Sequence, residues 1–253
     1  MISAQLDNHV LTLAFARADK MNAITNQMYL DAAKALNDAA EQPDVRVVIF
    51  TGEGGNLTCG NDLVDFVNNP PNGPMPPVLE FLLSLARFPK PIVVAINGLA
   101  VGIGTTMLAH CDYVVAADDT RFKLPFVDLG ACPEGGSSLL FPQIMGHSQA
   151  AELLLLADIF GAEKAQHVGL VNQVVAADEV MAHAQKIAAK MASKPPSAMR
   201  LTKAMLKQGY MEQLEKRLAD EIYKFRELLD SPEAQEALTA FTERRKPDFS
   251  RFS

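Results

Sequence analysis

The chain has 253 residues, with 49% apolar, 21% charged and 7% aromatic side chains, 15 Gly, 15 Pro and a formal net charge of −7. That apolar share suits one sizeable buried core and excludes a disordered or collagen-like chain, while an acidic balance without a basic stripe speaks against a nucleic-acid binder. No apolar run approaches the roughly 18–20 residues of a membrane-spanning helix, and the three scattered cysteines (Cys59, Cys111, Cys132) form neither a CxxC pair nor a disulfide framework. The first residues lack a signal-peptide pattern and the last three lack a targeting tripeptide, so a cytoplasmic location is expected, with no membrane partner.

Along the chain, residues 9–15 (HVLTLAF) alternate apolar and polar side chains and predict a strand. Residues 26–41 place Met28, Leu30, Ala32, Ala35, Leu36 and Ala39 at helical spacing, ending near Pro43. Residues 45–50 (VRVVIF) predict a buried strand closed by Thr51-Gly52. The proline-rich stretch 69–77 (NPPNGPMPP) predicts a loop, residues 78–88 a helix, and residues 91–96 (PIVVAI) and 113–116 (YVVA) two more strands. Further on, residues 150–159 read as helix and 170–175 (LVNQVV) as a short strand, after which helices dominate. Val180, Ala184, Ile187, Ala188 and Met191 form one apolar stripe, and Leu214, Leu218, Ile222, Phe225 and Leu229 another; each needs a partner, either the core or another subunit. The expectation is an α/β core over residues 1–190 and a helical section over 191–253.

Two glycine-rich segments follow buried strands: residues 51–63 (TGEGGNLTCGNDL) and 97–106 (NGLAVGIGTT). Glycine allows close backbone approach, so each segment can present free N–H groups to an oxyanion. Neither carries GxGxxG or a Walker pattern, which leaves tight turns as the alternative.

In this order and spacing the two segments resemble the crotonase (enoyl-CoA hydratase/isomerase) superfamily. Residues 51–63 match its TGxGxxFSAGxDL signature except at Leu57, Thr58 and Cys59, and Lys90 to Asp112 fit KPxxAxxxGxAxGxGxxxxxxCD. Residues 17–24 (RADKMNAI), 146–175 and 245–249 (RKPDF) are similar to three further blocks, so the resemblance covers nearly the whole chain. It implies a spiral of repeated ββα units with a C-terminal helical section that assembles a homotrimer or dimer of trimers. It also implies an acyl-CoA thioester as substrate, with no separate cofactor, and an oxyanion hole made by the N–H groups of Asn61 and Ile103, next to Gly60 and Gly102. Coenzyme A would lie near Lys20 and Ala23, with Cys59 to Leu63 (including Asp62) along its arm and Lys246 toward a phosphate.

Hydratases of the superfamily use two glutamates. At the corresponding places this chain has Thr106 and Phe126, after Pro125. A carboxylate remains in residues 129–138 (LGACPEGGSS), similar to the LGxxPEGxSS segment of peroxisomal-type Δ3,Δ2-enoyl-CoA isomerases, and Glu134 takes the place of the base. One carboxylate suffices to carry a proton from C2 to C4. The expected activity is therefore enoyl-CoA isomerisation. The alternatives are another acyl-CoA reaction of the superfamily (hydration, ring isomerisation, thioester hydrolysis) or a non-catalytic acyl-CoA-binding subunit.

Other candidates carry simpler readings. Asp62 and Asp112 suit capping or turn roles, Asp128 a second acid or a solvated loop, and Cys59 and Cys132 small buried positions without an activating His. The five histidines make no HxxxH or HExxH pair, so no metal site is expected.

Overall fold

The fold is that of a computed structural model, which describes residues 1–62, 65, 68, 69 and 73–252. Its strands are β1 (Ile2–Asp7), β2 (Val10–Phe15), β3 (Val47–Gly52), β4 (Ile92–Ile96), β5 (Leu99–Val101), β6 (Tyr113–Ala117), β7 (Arg121–Lys123), β8 (Phe160–Gly161) and β9 (Gln173–Val175). Its helices, among the described residues, are α1 (Asn26–Glu41), α2 (Pro77–Arg87), α3 (Ile103–Thr106), α4 (Ser137–Leu156), α5 (Ala162–His167), α6 (Val180–Ala192), α7 (Pro196–Gln208), α8 (Met211–Leu229) and α9 (Pro232–Thr242).

The apolar runs of β3, β4 and β6 are buried on both faces, as runs without polar alternation must be. These strands lie side by side and parallel, with Phe50 opposite Val94 and Val94 opposite Val114. Their side chains divide between two sides of the sheet. Val48, Phe50, Ile92, Val94 and Val114 join the larger core with α1 and α2, whereas Val47, Ile49, Val93, Ala95 and Val115 pack against Val180, Ala184 and Ala188 of α6. The full order is β1-β2-β3-β4-β6-β9, and a second sheet has the order β5-β7-β8. Each turn of the chain lays a long strand in the first sheet, a short strand or bridge in the second, and then a helix. Thus β4, β5 and α3 form one turn and β6, β7 and α4 the next. A bridge between Thr58 and Ala100 starts the sequence after β3. This is the expected spiral of ββα units.

Both apolar stripes left open by the sequence find their partner in the same chain. The α6 stripe covers the outer face of the sheet, and Leu214, Leu218 and Ile222 of α8 enter the larger core. A bidentate pair from Arg87 to Glu215, 2.8 Å at each arm, ties α8 to α2.

Four strands escape the sequence reading. β1 is an edge strand with five exposed residues out of six, so no buried face marks it. β5, β7 and β8 have three, three and two residues, too short for a period-2 pattern. Strand β9 covers only the end of the segment expected over residues 170–175. Helix α4 begins at Ser137 rather than near 150, because Pro142 and a non-helical Gly146 (φ 78°) conceal its first half from a periodicity test. His147 opens its second half and is exposed.

At the crossing from β4 to β5, Gly98 has φ 61°, and a Cβ there would lie 2.1 Å from the Gly55 carbonyl oxygen. Gly209, between α7 and α8, has φ −71° and open space around it. Gly98→Ala is therefore expected to cost at least about 2 kcal/mol, and Gly209→Ala to be neutral or stabilising by about 0.5 kcal/mol. Urea unfolding of both variants checks this; equal effects would contradict it.

Candidate active site

Two peptide planes set the geometry of the site. The carbonyl of Gly60 accepts the Ile24 N–H at 2.8 Å, and the Asp62 N–H donates to the Ile24 carbonyl at 2.9 Å. In a trans peptide the C=O and N–H point opposite ways, so this bridge turns the Asn61 N–H away from Ile24. The Gly102 carbonyl likewise accepts the N–H groups of Thr105 and Thr106 (2.9 and 3.0 Å), which leaves the Ile103 N–H at the open start of α3. Within the described residues neither N–H donates a hydrogen bond. The two segments are adjacent: the Val101 N–H donates to Thr58, and a Cβ built on Gly60 would lie 3.2 Å from the Val101 carbonyl oxygen.

Glu134 is buried, with 4% of its surface exposed. Its Oε1 accepts the Thr106 hydroxyl at 2.6 Å, while Oε2 has no partner among the described residues. Burial raises its pKa to about 8; the Thr106 hydrogen bond works against that rise and the nearby Glu221 carboxylate adds to it.

The loop around Glu134 is held at successive residues. Ser137 Oγ donates to the Glu134 carbonyl (2.6 Å), and the buried His110 ring bonds the Gly135 carbonyl through Nε2 (2.7 Å). Because a carbonyl only accepts, His110 carries its proton on Nε2; burial lowers its pKa to about 4, so the ring stays neutral. Glu221 of α8 accepts the Gly136 N–H at 2.6 Å and both the N–H and hydroxyl of Ser138 at 3.1 and 2.5 Å. These bonds satisfy the first free donors of α4.

The sequence reading missed three of these groups. His110 lies in the Lys90–Asp112 signature and was weighed only as a metal ligand, and Glu221 lies in a segment read only for periodicity. Tyr29 was passed over in α1, where its hydroxyl donates to Asn61 Oδ1 at 2.5 Å; burial and the Glu134 charge hold its pKa well above 10. A polar tip on a helix face otherwise lined by Met28, Ala32 and Leu36 was the available signal.

Of the remaining candidates, Ala23 is buried beside the bridge, Lys20 is exposed, and Cys59 donates its N–H to the Met21 carbonyl, which keeps residues 20–23 against 59–60. Asp62 pairs with Arg17 (2.5 Å) and accepts the Asp65 N–H (3.0 Å), a turn-holding arrangement. Asp112 accepts from Lys203 and the Ile92 N–H, and Asp128 pairs with Lys123 at 2.8 Å. Phe126 is buried edge-to-face on Phe225. Burial raises the pKa of both the Cys59 and Cys132 thiols, so neither is an activated nucleophile. Lys246 lies in the exposed segment after α9, and Leu63 lies outside the described residues. No group of three or more metal-ligating side chains occurs among the described residues, nor any helix long and apolar enough to cross a membrane.

Glu134 is thus tied through Thr106 to α3, the helix that begins at the Ile103 N–H. Its proton affinity bears on stability. The folded-state pKa is about 8, against 4.5 for an ordinary glutamate. The native protein thus holds a proton that the unfolded chain releases, an advantage complete below about pH 4.5 and lost as pH rises through 8. The stability of Glu134→Gln relative to the parent is expected to improve by about 2 kcal/mol or more between pH 5 and pH 8.5. Urea unfolding at the two pH values checks this; a pH-independent difference would contradict it.

The chain is similar to known proteins over nearly its whole length. The profile of the enoyl-CoA hydratase/isomerase family matches residues 5–251. Enoyl-CoA delta isomerase 2 of Rattus norvegicus is 34% identical over 93% of this chain and 62% of its own length. The 2,3-dehydroadipyl-CoA hydratase of Escherichia coli is 31% identical over 95% of this chain and 94% of its own. A crystal structure of an enoyl-CoA hydratase/isomerase from Pseudoalteromonas atlantica superposes with a TM-score of 0.93 at 37% identity, covering 98% of this chain and 99% of the other.

Proposed function

The chain belongs to the enoyl-CoA hydratase/isomerase family, and from that premise we propose that it is an enoyl-CoA isomerase that moves a 3-enoyl double bond to the 2-trans position. The observation that carries this reading is the buried carboxylate of Glu134, anchored at Oε1 by Thr106 and unpartnered at Oε2 among the described residues. The ionised carboxylate takes a proton from C2 of the acyl chain. The C2–H electrons move into a dienolate whose negative oxygen accepts the N–H groups of Asn61 and Ile103. The same carboxyl group then gives its proton to C4, and the double bond rests between C2 and C3. No atom is gained or lost, and Glu134 ends as it began.

Electrostatics favour the assignment. A carboxylic acid with a pKa near 8 is a stronger base than a solvated glutamate, which narrows its gap to the C2–H. Preorganised N–H donors at the developing oxyanion contribute about 3–4 kcal/mol each. Water addition needs a second group to deliver the other proton. Thr106 and Phe126 stand at the two places where hydratases of the family have glutamates. Thr106 is committed to Glu134 and Phe126 to Phe225. Hydration is the second reading, favoured by the hydratase relative described above.

We assign the acyl-CoA arm to the strip from Lys20 to Ala23 beside Cys59 and Gly60, with Asp62 beyond it, Gly102 opposite, and Lys246 as a phosphate ligand. Assembly into a homotrimer or a dimer of trimers, through residues 191–253, agrees with Leu201, Met205 and Leu206, which lie on α7 with more than half their surface exposed.

Turnover of 3-hexenoyl-CoA by the parent and by Glu134→Gln, with crotonyl-CoA hydration alongside, tests the reading. Isomerisation is expected to exceed hydration, and the variant to lose about 10³-fold in kcat. Hydration as the faster reaction, or a variant within tenfold of the parent, would overturn it. Thr106→Val removes the donor that lowers the Glu134 pKa. The acid limb of the kcat/KM profile is then expected to move to higher pH, with about tenfold less activity at pH 7. An unmoved limb would separate Thr106 from the base.

A further inference from the structure

Tyr29 is buried, yet its hydroxyl stops at the Asn61 side chain rather than at a backbone group. Its ring is fixed on rigid elements: it stacks obliquely on Phe81 of α2 at 5.6 Å, and Phe81 meets Phe50 of β3 edge-on at 6.2 Å. The hydroxyl therefore cannot follow a moving loop. It sets the position of Asn61 Oδ1.

The peptide that ends at the Asn61 N–H is already pinned on one side by the Ile24 bridge to Gly60 and Asp62. These two hydrogen bonds hold successive peptides at one atom each, which leaves the Gly60–Asn61 plane free to rock about its carbonyl bond. A further point, on Asn61 itself, restrains the rocking. Tyr29 supplies it through the Asn61 side chain, from the first turn of α1, five residues after Ile24. Ile24, just before α1, and Tyr29 within it thus grip residues 60–62 at three points.

We propose that Tyr29 is a positioning residue: by holding the Asn61 side chain, its hydroxyl fixes the direction of the Asn61 N–H and so the stabilisation of the enolate. The inference rests on Asn61 acting as an oxyanion donor, and it is independent of whether the enolate goes on to isomer or hydrate. A preorganised donor needs no reorientation as charge develops, and small angular errors weaken it in the transition state more than in the ground state. Loss of the hydroxyl is therefore expected in kcat and hardly at all in KM.

The test is exchange of the C2 protons of hexanoyl-CoA for deuterium in D2O, followed by NMR. A saturated thioester can only be enolised and reprotonated: the C2 proton passes to the carboxylate, solvent replaces it with deuterium, and the deuteron returns to C2. Tyr29→Phe, Asn61→Ala and the double variant are compared with the parent. Asn61→Ala keeps the N–H and removes only the side chain that Tyr29 holds. Each single variant is expected to slow saturated-substrate exchange about tenfold with KM within twofold, and the double variant to be no slower than the slower single one. Losses that multiply, near 100-fold in the double variant, would overturn the inference, because Tyr29 would then act elsewhere. So would parental exchange in Asn61→Ala, which decides the matter even if Tyr29→Phe does not fold. A parent enzyme that binds hexanoyl-CoA without exchanging it would instead overturn the functional reading, and this inference with it.

Discussion

A buried carboxylate with one oxygen bonded and the other without a partner among the described residues is the costly element on which the site depends. An ionised group in that position loses hydration that a single hydroxyl cannot replace. Glu134 accommodates this by holding its proton to about pH 8, and the surrounding structure prevents it from relaxing toward solvent. The Ser137 hydroxyl, the His110 ring and the Glu221 carboxylate bond the backbone of three consecutive residues of its loop, and α8 is bound in turn to α2 through Arg87 and Glu215. A helix distant in sequence thereby keeps the carboxyl group in place. His110 illustrates the same economy: burial keeps it neutral, so it anchors a carbonyl without adding a charge beside the carboxyl group.

The spiral explains why the free peptide donors occur near this group. Each turn sends the chain from the large sheet to the small one, and the crossings after β3 and β5 bring residues 58–61 and 100–103 together. At both places the carbonyl of a glycine is used by the fold, and the N–H of the same peptide is left for something else. The donors are by-products of how the crossings are hydrogen-bonded, which makes them rigid. Rigidity is what an oxyanion site requires, since donors that must reorient lose much of their effect.

Legibility in the sequence followed size and environment. β3, β4 and β6 were readable because strands buried on both faces need uninterrupted apolar runs. Glu134 stood out because a carboxylate between Pro133 and two glycines has few routine roles, and the two glycine segments marked the crossings. The resemblance to a known family joined these pieces into one site. The small sheet was not readable: strands of two or three residues owe their existence to pairing across the fold, which no local window contains. Tyr29 and Glu221 were hidden for a related reason. Each lies on an amphipathic helix whose periodicity is satisfied without it, and its importance comes from residues 32 and 83 positions or more away.

The protonation of Glu134 can be observed without any substrate. Infrared difference spectra of protein with 13C-labelled glutamate, recorded across pH for the parent and Glu134→Gln, isolate its C=O band. If burial governs the site as described, the parent shows a protonated carboxyl that titrates near pH 8 and is absent from the variant. A Glu134 band that has vanished by about pH 5 would mean that the group is solvated and ordinary, and the single-base site would fail with it.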